Sequence, residues 1–487
     1  MQPILELLAP DLVGRILDEA LYLLREPGIK VQSADARDLL QAAGASVDPE
    51  REVVHIPEAM VHQALQTVPR AFWLHTRDGK PAVHYGANAV HFDPGSSGVN
   101  VLDPETGEHR PAVTPDLIRL IQVAEMLPAY NAQSTAVVCG DVPQAIGDLY
   151  RLYLVLLYSS KPIVTGAFSV AMTRPMIDML TLFRQGADDL ARRPLAVFDV
   201  CPTPPLIWSA FAAQSLIDLA RARVPAQMVS MPLAGAGAPV TLLGSVVQHA
   251  AESLAGIVLH QLAGAGSPIV WGGAPAIFDM RHGTTPMGAI ETAMIDAAYA
   301  QVGKSLGLPT HAYLGATDAK LNDAQAGMES GVSAVLGALA GINMISGAGM
   351  LDFLACLSAE KLVIDAEAIG MAQRLVAGVQ VRTDTLALEM FAGFNFQANF
   401  LKQKLTRQLF SVEQHLPSPV IDRGSARAWH EAGRPDTLAR ARVRTAELLK
   451  DYRRPAAAPE QERELQATVH RLAHLAGMDR LPSIDLG

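Results

Sequence analysis

Between Pro268 and Asn343 the chain alternates short apolar runs with long helical stretches, and that rhythm restricts it to few folds. Ile269-Val270-Trp271 is a buried strand that stops at Gly272-Gly273. A polar loop with Asp279, Arg281 and His282 follows, and then a helix from about Gly288 to Leu306. Thr310 to Leu314 is the next strand, trailed by a loop with Asp318, Lys320, Asn322 and Asp323, and a further helix begins near Gln325. Strands alternating with helices of this length predict βα units and a parallel sheet. The polar residues gather where each strand hands over to its helix, which in α/β barrels is the end that carries chemistry.

The same rhythm extends upstream. Further candidate strands are Ser134–Val138, Pro162–Phe168, Leu195–Val200, Ala226–Met231 and Ile342–Ser346. With those at Pro268–Trp271 and Thr310–Leu314 they make seven, and the eighth is sought at His91-Phe92 or after Arg374. The expected fold is a (β/α)8 TIM-type barrel over residues 113–415. An α+β and β-rich module over 1–112 precedes it, and a helical extension over 416–487 follows.

At 487 residues, with 49% hydrophobic and 18% charged, the chain can bury a large core. A net charge of −10 argues against nucleic acid or an anionic membrane as partner. Cys139, Cys201 and Cys356 lie far apart, so no disulfide framework or thiolate metal site is expected, and a reducing, cytoplasmic setting fits. The N-terminus lacks a basic stretch ahead of an apolar core, so no signal peptide is read. Val332–Ala359 is apolar and long enough to span a bilayer, but its glycines, Asn343 and Asp352 break it into helix, strand and helix.

Three stretches carry a resemblance: GGAPAIFDMRHG, the LGLPTHAYLGATDAK run with its following ND and QAG, and ISGAGML with SAEKLVIDAE. They resemble the trimethylamine methyltransferase family, whose members move a methyl group from methylated amines to a corrinoid protein. The likeness extends more weakly over nearly the whole chain. Trimethylamine enzymes use pyrrolysine, which is not written here, so the chain is similar to the non-pyrrolysine branch that demethylates quaternary amines such as glycine betaine. Where the family has His-Phe-Leu and then His-Thr, this chain has Asn399-Phe400-Leu401 and Leu405-Thr406.

The resemblance implies a methyl transfer whose chemistry sets the site. Displacement from a quaternary ammonium releases a neutral amine, so the enzyme must strip water from a cation and aim one methyl group. A corrinoid (cobalamin) on a partner protein is the expected acceptor, with no tightly bound cofactor and no metal in the chain itself. A homo-oligomer is expected. Cation recognition calls for aromatic faces and a carboxylate. Aromatics near predicted strand ends are Phe92, Phe168, Phe198, Trp208, Trp271, Phe278, Tyr313 and Phe353. Phe92, Phe198 and Trp208 are preferred as a cage, with Trp271 beside them, although core packing explains each ring as well.

Asp279 and Arg281 are candidate catalytic residues, or equally an ion pair bracing their loop. Glu329 is a third candidate, and His311 and Asp318 are candidate substrate contacts. Gly235, Gly237 and Thr241, in a glycine-rich strand-to-helix loop, could hold an anion such as a corrinoid phosphate, or simply allow close packing. Two other functions stay open: an amine-binding sensory protein that has lost methyl transfer, and a barrel lyase or aldolase using Lys320 or Lys361.

Overall fold

Eight parallel strands form the centre of the protein, seen in a computed structural model that describes residues 2–397 and 399–484. They are β1 (His91–Pro94), β2 (Gln133–Ser134), β3 (Ile163–Gly166), β4 (Ala196–Val200), β5 (Ala226–Met228), β6 (Ile269–Gly273), β7 (Thr310–Ala312) and β8 (Met344–Ala348). The helices that follow them are α1 (Thr114–Met126), α2 (Gly147–Tyr158), α3 (Val170–Thr181), α4 (Ala210–Ala222), α5 (Leu242–Ala263), α6 (Ile290–Ser305), α7 (Ala324–Leu339) and α8 (Ala359–Val376). β2 to β8 pair in sequence order, and β8 pairs with β1 from Met344↔His91 to Ala348↔Pro94. The ring closes beside β1 and β2, where Asn131 N donates to Phe92 O at 2.8 Å and Gly98 bridges Val137. The molecule is a TIM barrel.

The eighth strand is thus His91–Pro94, upstream of residue 113. It is short, and it is separated from α1 by strands Asn100–Leu102 and His109–Pro111. With Met350–Leu351 and Cys356–Leu357 these form a four-stranded sheet beside the carboxyl ends of β1 and β8.

Alternation along the strands decides what faces the axis. Val164, Val197, Val270 and Met344 form an inner layer, closed at the amino end by Leu74, Val83 and Tyr85 of the hairpin Phe72–His75/Pro81–Tyr85. Their neighbours Ile163, Phe198, Trp271 and Ile345 belong to the larger outer core between strands and helices. Helix α5 is long and apolar enough to cross a membrane, but most of it is buried. The Val332–Ala359 stretch divides into the end of α7, β8 and the hairpin after it.

The N-terminal module packs helix Pro10–Arg25 on α5 and α6. Its strands Ile29–Val31, Ser46–Asp48 and Val53–His55 are completed by Ile207–Trp208 from the loop after β4. At the other end of the chain, helix Thr437–Asp451 packs on α8 and α1, and helix Pro459–Leu475 on α2.

Candidate active site

Two carboxylates stand inside the barrel on the inward face of their strands. Asp199 of β4 accepts from Gln227 Nε2 at 2.7 Å and from the Tyr313 hydroxyl at 3.1 Å. Gln227 in turn receives the Tyr85 hydroxyl at 3.0 Å, which ties the network to the plug at the amino end. Asp93 of β1 accepts from Ser346 Oγ at 2.5 Å, and His311 Nε2 lies 3.1 Å from the same oxygen. Asp93 is fully buried and its Oδ2 has no partner, whereas Asp199 keeps part of its surface accessible.

Burial dominates the electrostatics here. It pushes Asp199 up to about 7, against the hydrogen bonds from Gln227 and Tyr313. Asp93 is raised well above the carboxylate range, by burial first and in part by the field of Asp199. Burial also lowers His311 to about 3, so its imidazole is neutral and supplies no counter-charge. No lysine or arginine is bonded to either carboxylate among the described residues. Without such a partner, burial keeps both carboxyls raised, and a positive charge brought beside either would shift it back toward the ionised form.

Above this network sits an apolar collar from the loops after β4 to β8: Cys201, Val229, Leu233, Met287, Tyr313 and Leu354. Cys201 is partly exposed, and burial raises its thiol to about 12, which leaves it un-ionised. Two further rings stand at strand ends. Phe168, 59% exposed, lies over the Arg151 guanidinium at 5.1 Å. Phe353 carries Lys320 Nζ 3.8 Å above its ring, in the left-handed run Asp352-Phe353-Leu354. Arg151 is itself bonded to Ser97 Oγ, Thr135 O and Asp148.

The preferred aromatic cage does not form. Phe92 packs outward among Leu314, Ala334 and Ile369, and Phe198 lies in the outer core. Trp271 donates to Tyr299 O at 2.9 Å and sits so close to α6 that a Cβ on Gly303 would meet its ring at 2.5 Å. Trp208 belongs to the N-terminal sheet, donates to Glu252 O, and presses on Gly256 of α5 in the same way. Strand pleating is the reason. Phe92 and Phe198 each precede an inward aspartate by one residue, and Trp271 stands between the inward Val270 and Gly272. Of the aromatics picked out in the sequence, Tyr313 reaches the inner network, and Phe168 and Phe353 stand at strand ends.

The other candidates have mostly local roles. Asp279 bonds Arg281 at 2.7 Å and His282 at 3.1 Å within one surface loop, with the Arg281 side chain 83% exposed. Asp318 Oδ1 accepts from Met287 N at 2.7 Å and Gly288 N at 3.0 Å, joining the loop after β7 to the start of α6. Glu329 accepts from the Thr317 hydroxyl, Asp318 N and Gln325, so it braces that same loop. Thr241 caps α5 through Gly244 N, and the amides of Gly235, Ala236 and Ala238 are engaged within the loop, which leaves little to hold an anion. His311, like Tyr313, lies inside the barrel. Lys361 pairs with Asp365 at 2.6 Å on the outward helix α8, and Lys320 stands on the rim beside Asp352, so neither reaches the axis. Asp93, Asp199, Gln227 and Ser346 escaped the sequence reading. A polar residue inside an otherwise apolar strand, as in Ala196-Val-Phe-Asp-Val200, was the signal for them.

The protein is an α/β barrel with inward carboxylates and an apolar cluster at its carboxyl end, and comparison with known proteins gives its family. The chain belongs to the trimethylamine methyltransferase family, whose model matches residues 1–476. It is 34% identical over 436 residues to the trimethylamine methyltransferase MttB of Methanosarcina thermophila, covering 88% of this chain and 90% of the relative. It is 30% identical over 443 residues to MttB of Desulfitobacterium hafniense DCB-2, covering 89% of each. The glycine betaine methyltransferase of Desulfitobacterium hafniense Y51 is 27% identical over 469 residues, 96% of this chain and 97% of that one. In fold the chain resembles the crystal structure of the Methanosarcina barkeri monomethylamine methyltransferase, with a TM-score of 0.52 at 13% identity, covering 92% and 89% of the two chains.

Proposed function

We propose that this protein moves a methyl group from a quaternary (or tertiary) methylated amine, such as glycine betaine, to the cobalt of a corrinoid carried by a partner protein. The family and the glycine betaine methyltransferase relative support the reaction type. The observation that carries the substrate class is Asp199: an inward carboxylate raised to about 7, held by neutral donors and lacking a cation. In the displacement the carbon–nitrogen bond breaks with its electron pair on nitrogen, and the carbon bonds to the reduced cobalt through the cobalt's own pair. No proton need reach a neutral tertiary amine as it leaves. The protein's part is to hold the ammonium near Asp199 and Tyr313, exclude water with the collar, and point one methyl outward.

The test is a methyl-transfer assay with reduced cobalamin over glycine betaine, carnitine, choline and trimethylamine. Transfer from at least one quaternary amine is expected, followed by the change in the cobalamin visible spectrum. Binding without transfer would point to the sensory alternative, and neither binding nor transfer across the panel would overturn the reading.

A further inference from the structure

Two arginines at the amino end of the barrel pair with no carboxylate. Arg77 stands in the turn at the tip of the plug hairpin and is 8% exposed. Its Nη1 donates to Leu156 O at 2.6 Å, and its Nη2 to Pro455 O at 2.9 Å and Ala456 O at 2.6 Å. Arg184 donates to the carbonyls of Arg193, Arg77, Phe183 and Thr76 at 2.7 to 3.1 Å. Burial, and then the field of Arg193, lower Arg184 to about 10, so it stays charged at neutral pH. Carbonyl oxygens satisfy these N–H groups without cancelling their charge.

Most carboxylates nearby are already paired: Asp78 with Lys80 at 2.7 Å, Asp189 with Arg193 at 2.6 Å, and Glu462 with Arg454 at 2.6 Å. Glu125, whose field reaches Arg77, also faces Lys161 and is held by the Ser159 and Ser160 hydroxyls. Beyond the pairs, Arg77, Arg184 and Lys161 therefore stand against Glu125 alone, which leaves an excess of positive charge.

Arg77, Arg184 and Arg193 line one cavity of about 480 Å³, with Ser160, Ala458 and Gln461 among its other walls. That volume lies in the ordinary range of small-molecule sites. Arg193 uses Nε and Nη2 on Asp189, and its Nη1 makes no hydrogen bond among the described residues. This nitrogen rests on Gly79, where φ is +83° and a Cβ would come within 2.7 Å of it. Helix Pro459–Leu475 begins at the same cavity and adds the positive end of its dipole, while its Glu460 is 86% exposed.

We propose that this cavity binds a phosphate group, free or carried on a small molecule, with Arg77, Arg184 and Arg193 as its cationic wall. A phosphate dianion matches the excess charge better than a single carboxylate does, and guanidinium N–H groups suit its oxygens. Bound there, it ties the plug hairpin to the linker that leads into the last helix. The site is at the end of the barrel opposite the mouth, and this inference is independent of the reaction proposed above.

Calorimetric titration of the full chain with inorganic phosphate, at an ionic strength held constant with chloride, tests it. A Kd below about 1 mM is expected. Arg193→Gln should weaken binding at least about tenfold, the loss of one charge-assisted contact. Ribose 5-phosphate in a parallel titration reads the source: tighter binding than phosphate assigns a phosphomonoester, and equal or weaker binding assigns the free anion. Phosphate should also slow amide exchange in wild type at residues 76–80 and 456–461, a reading that stands should the variant misfold. No binding at about 10 mM phosphate, unchanged affinity in a folded Arg193→Gln, or protection confined to the barrel mouth overturns the proposal.

Discussion

Burial makes Asp199 hold its proton to a higher pH than an exposed carboxyl does. Its folded-state value of about 7 lies above the ordinary carboxylate value, so this residue favours the folded state at low pH and loses that contribution as pH rises through 7. Asp199→Asn keeps the partners Gln227 and Tyr313 without the charge. We expect the variant to melt above the wild type at pH 8 and the gap to narrow by more than half at pH 5, as thermal melts at the two pH values would record. A gap of the same size at both values would mean that Asp199 is not the titrating group. At this scale the sequence was legible to within one residue. Phe92 and Phe198 drew notice because rings suit a cation, but pleating turns Asp93 and Asp199 inward instead. A single strand in isolation does not say which of its faces meets the axis, so the choice between neighbours had no local answer.

Loops at the mouth are joined by carboxylates that accept backbone amides. Asp318 is the clearest, because it receives both Met287 N and Gly288 N from the preceding βα unit. Asp318→Ala leaves those amides unpaired and should cost about 1–3 kcal/mol of stability. Met287 belongs to the collar, so we also expect KM for the amine to rise more than kcat falls. Unchanged KM with reduced stability would confine Asp318 to a purely architectural part. Strands and helices were the most readable level of this chain, since Gly and Pro breaks punctuate each βα unit. The exception was β1, four residues of His-Phe-Asp-Pro whose partner β8 lies some 250 positions away. Neither periodicity nor turn chemistry reports pairing over such a distance.

Taken whole, the molecule is a barrel plugged at one end by the Tyr85 hairpin and ringed at the other by an apolar collar. The N-terminal module and the C-terminal helices brace its outer wall. Charge is segregated in this design: carboxylates inside, with Arg151 and Lys361 bonded into the wall. The account stands or falls on whether that interior binds a cation through Asp199. The direct measurement is the Kd of tetramethylammonium, a cation that cannot titrate, for wild type and Asp199→Asn at pH 6 and pH 8. Ionisation around 7 makes wild-type binding about tenfold tighter at pH 8, because a bound cation favours the carboxylate form. The Asn variant should bind at least about tenfold more weakly at pH 8, with little pH dependence. Wild-type affinity that is flat across this range, or a variant that binds as tightly as wild type, would contradict it.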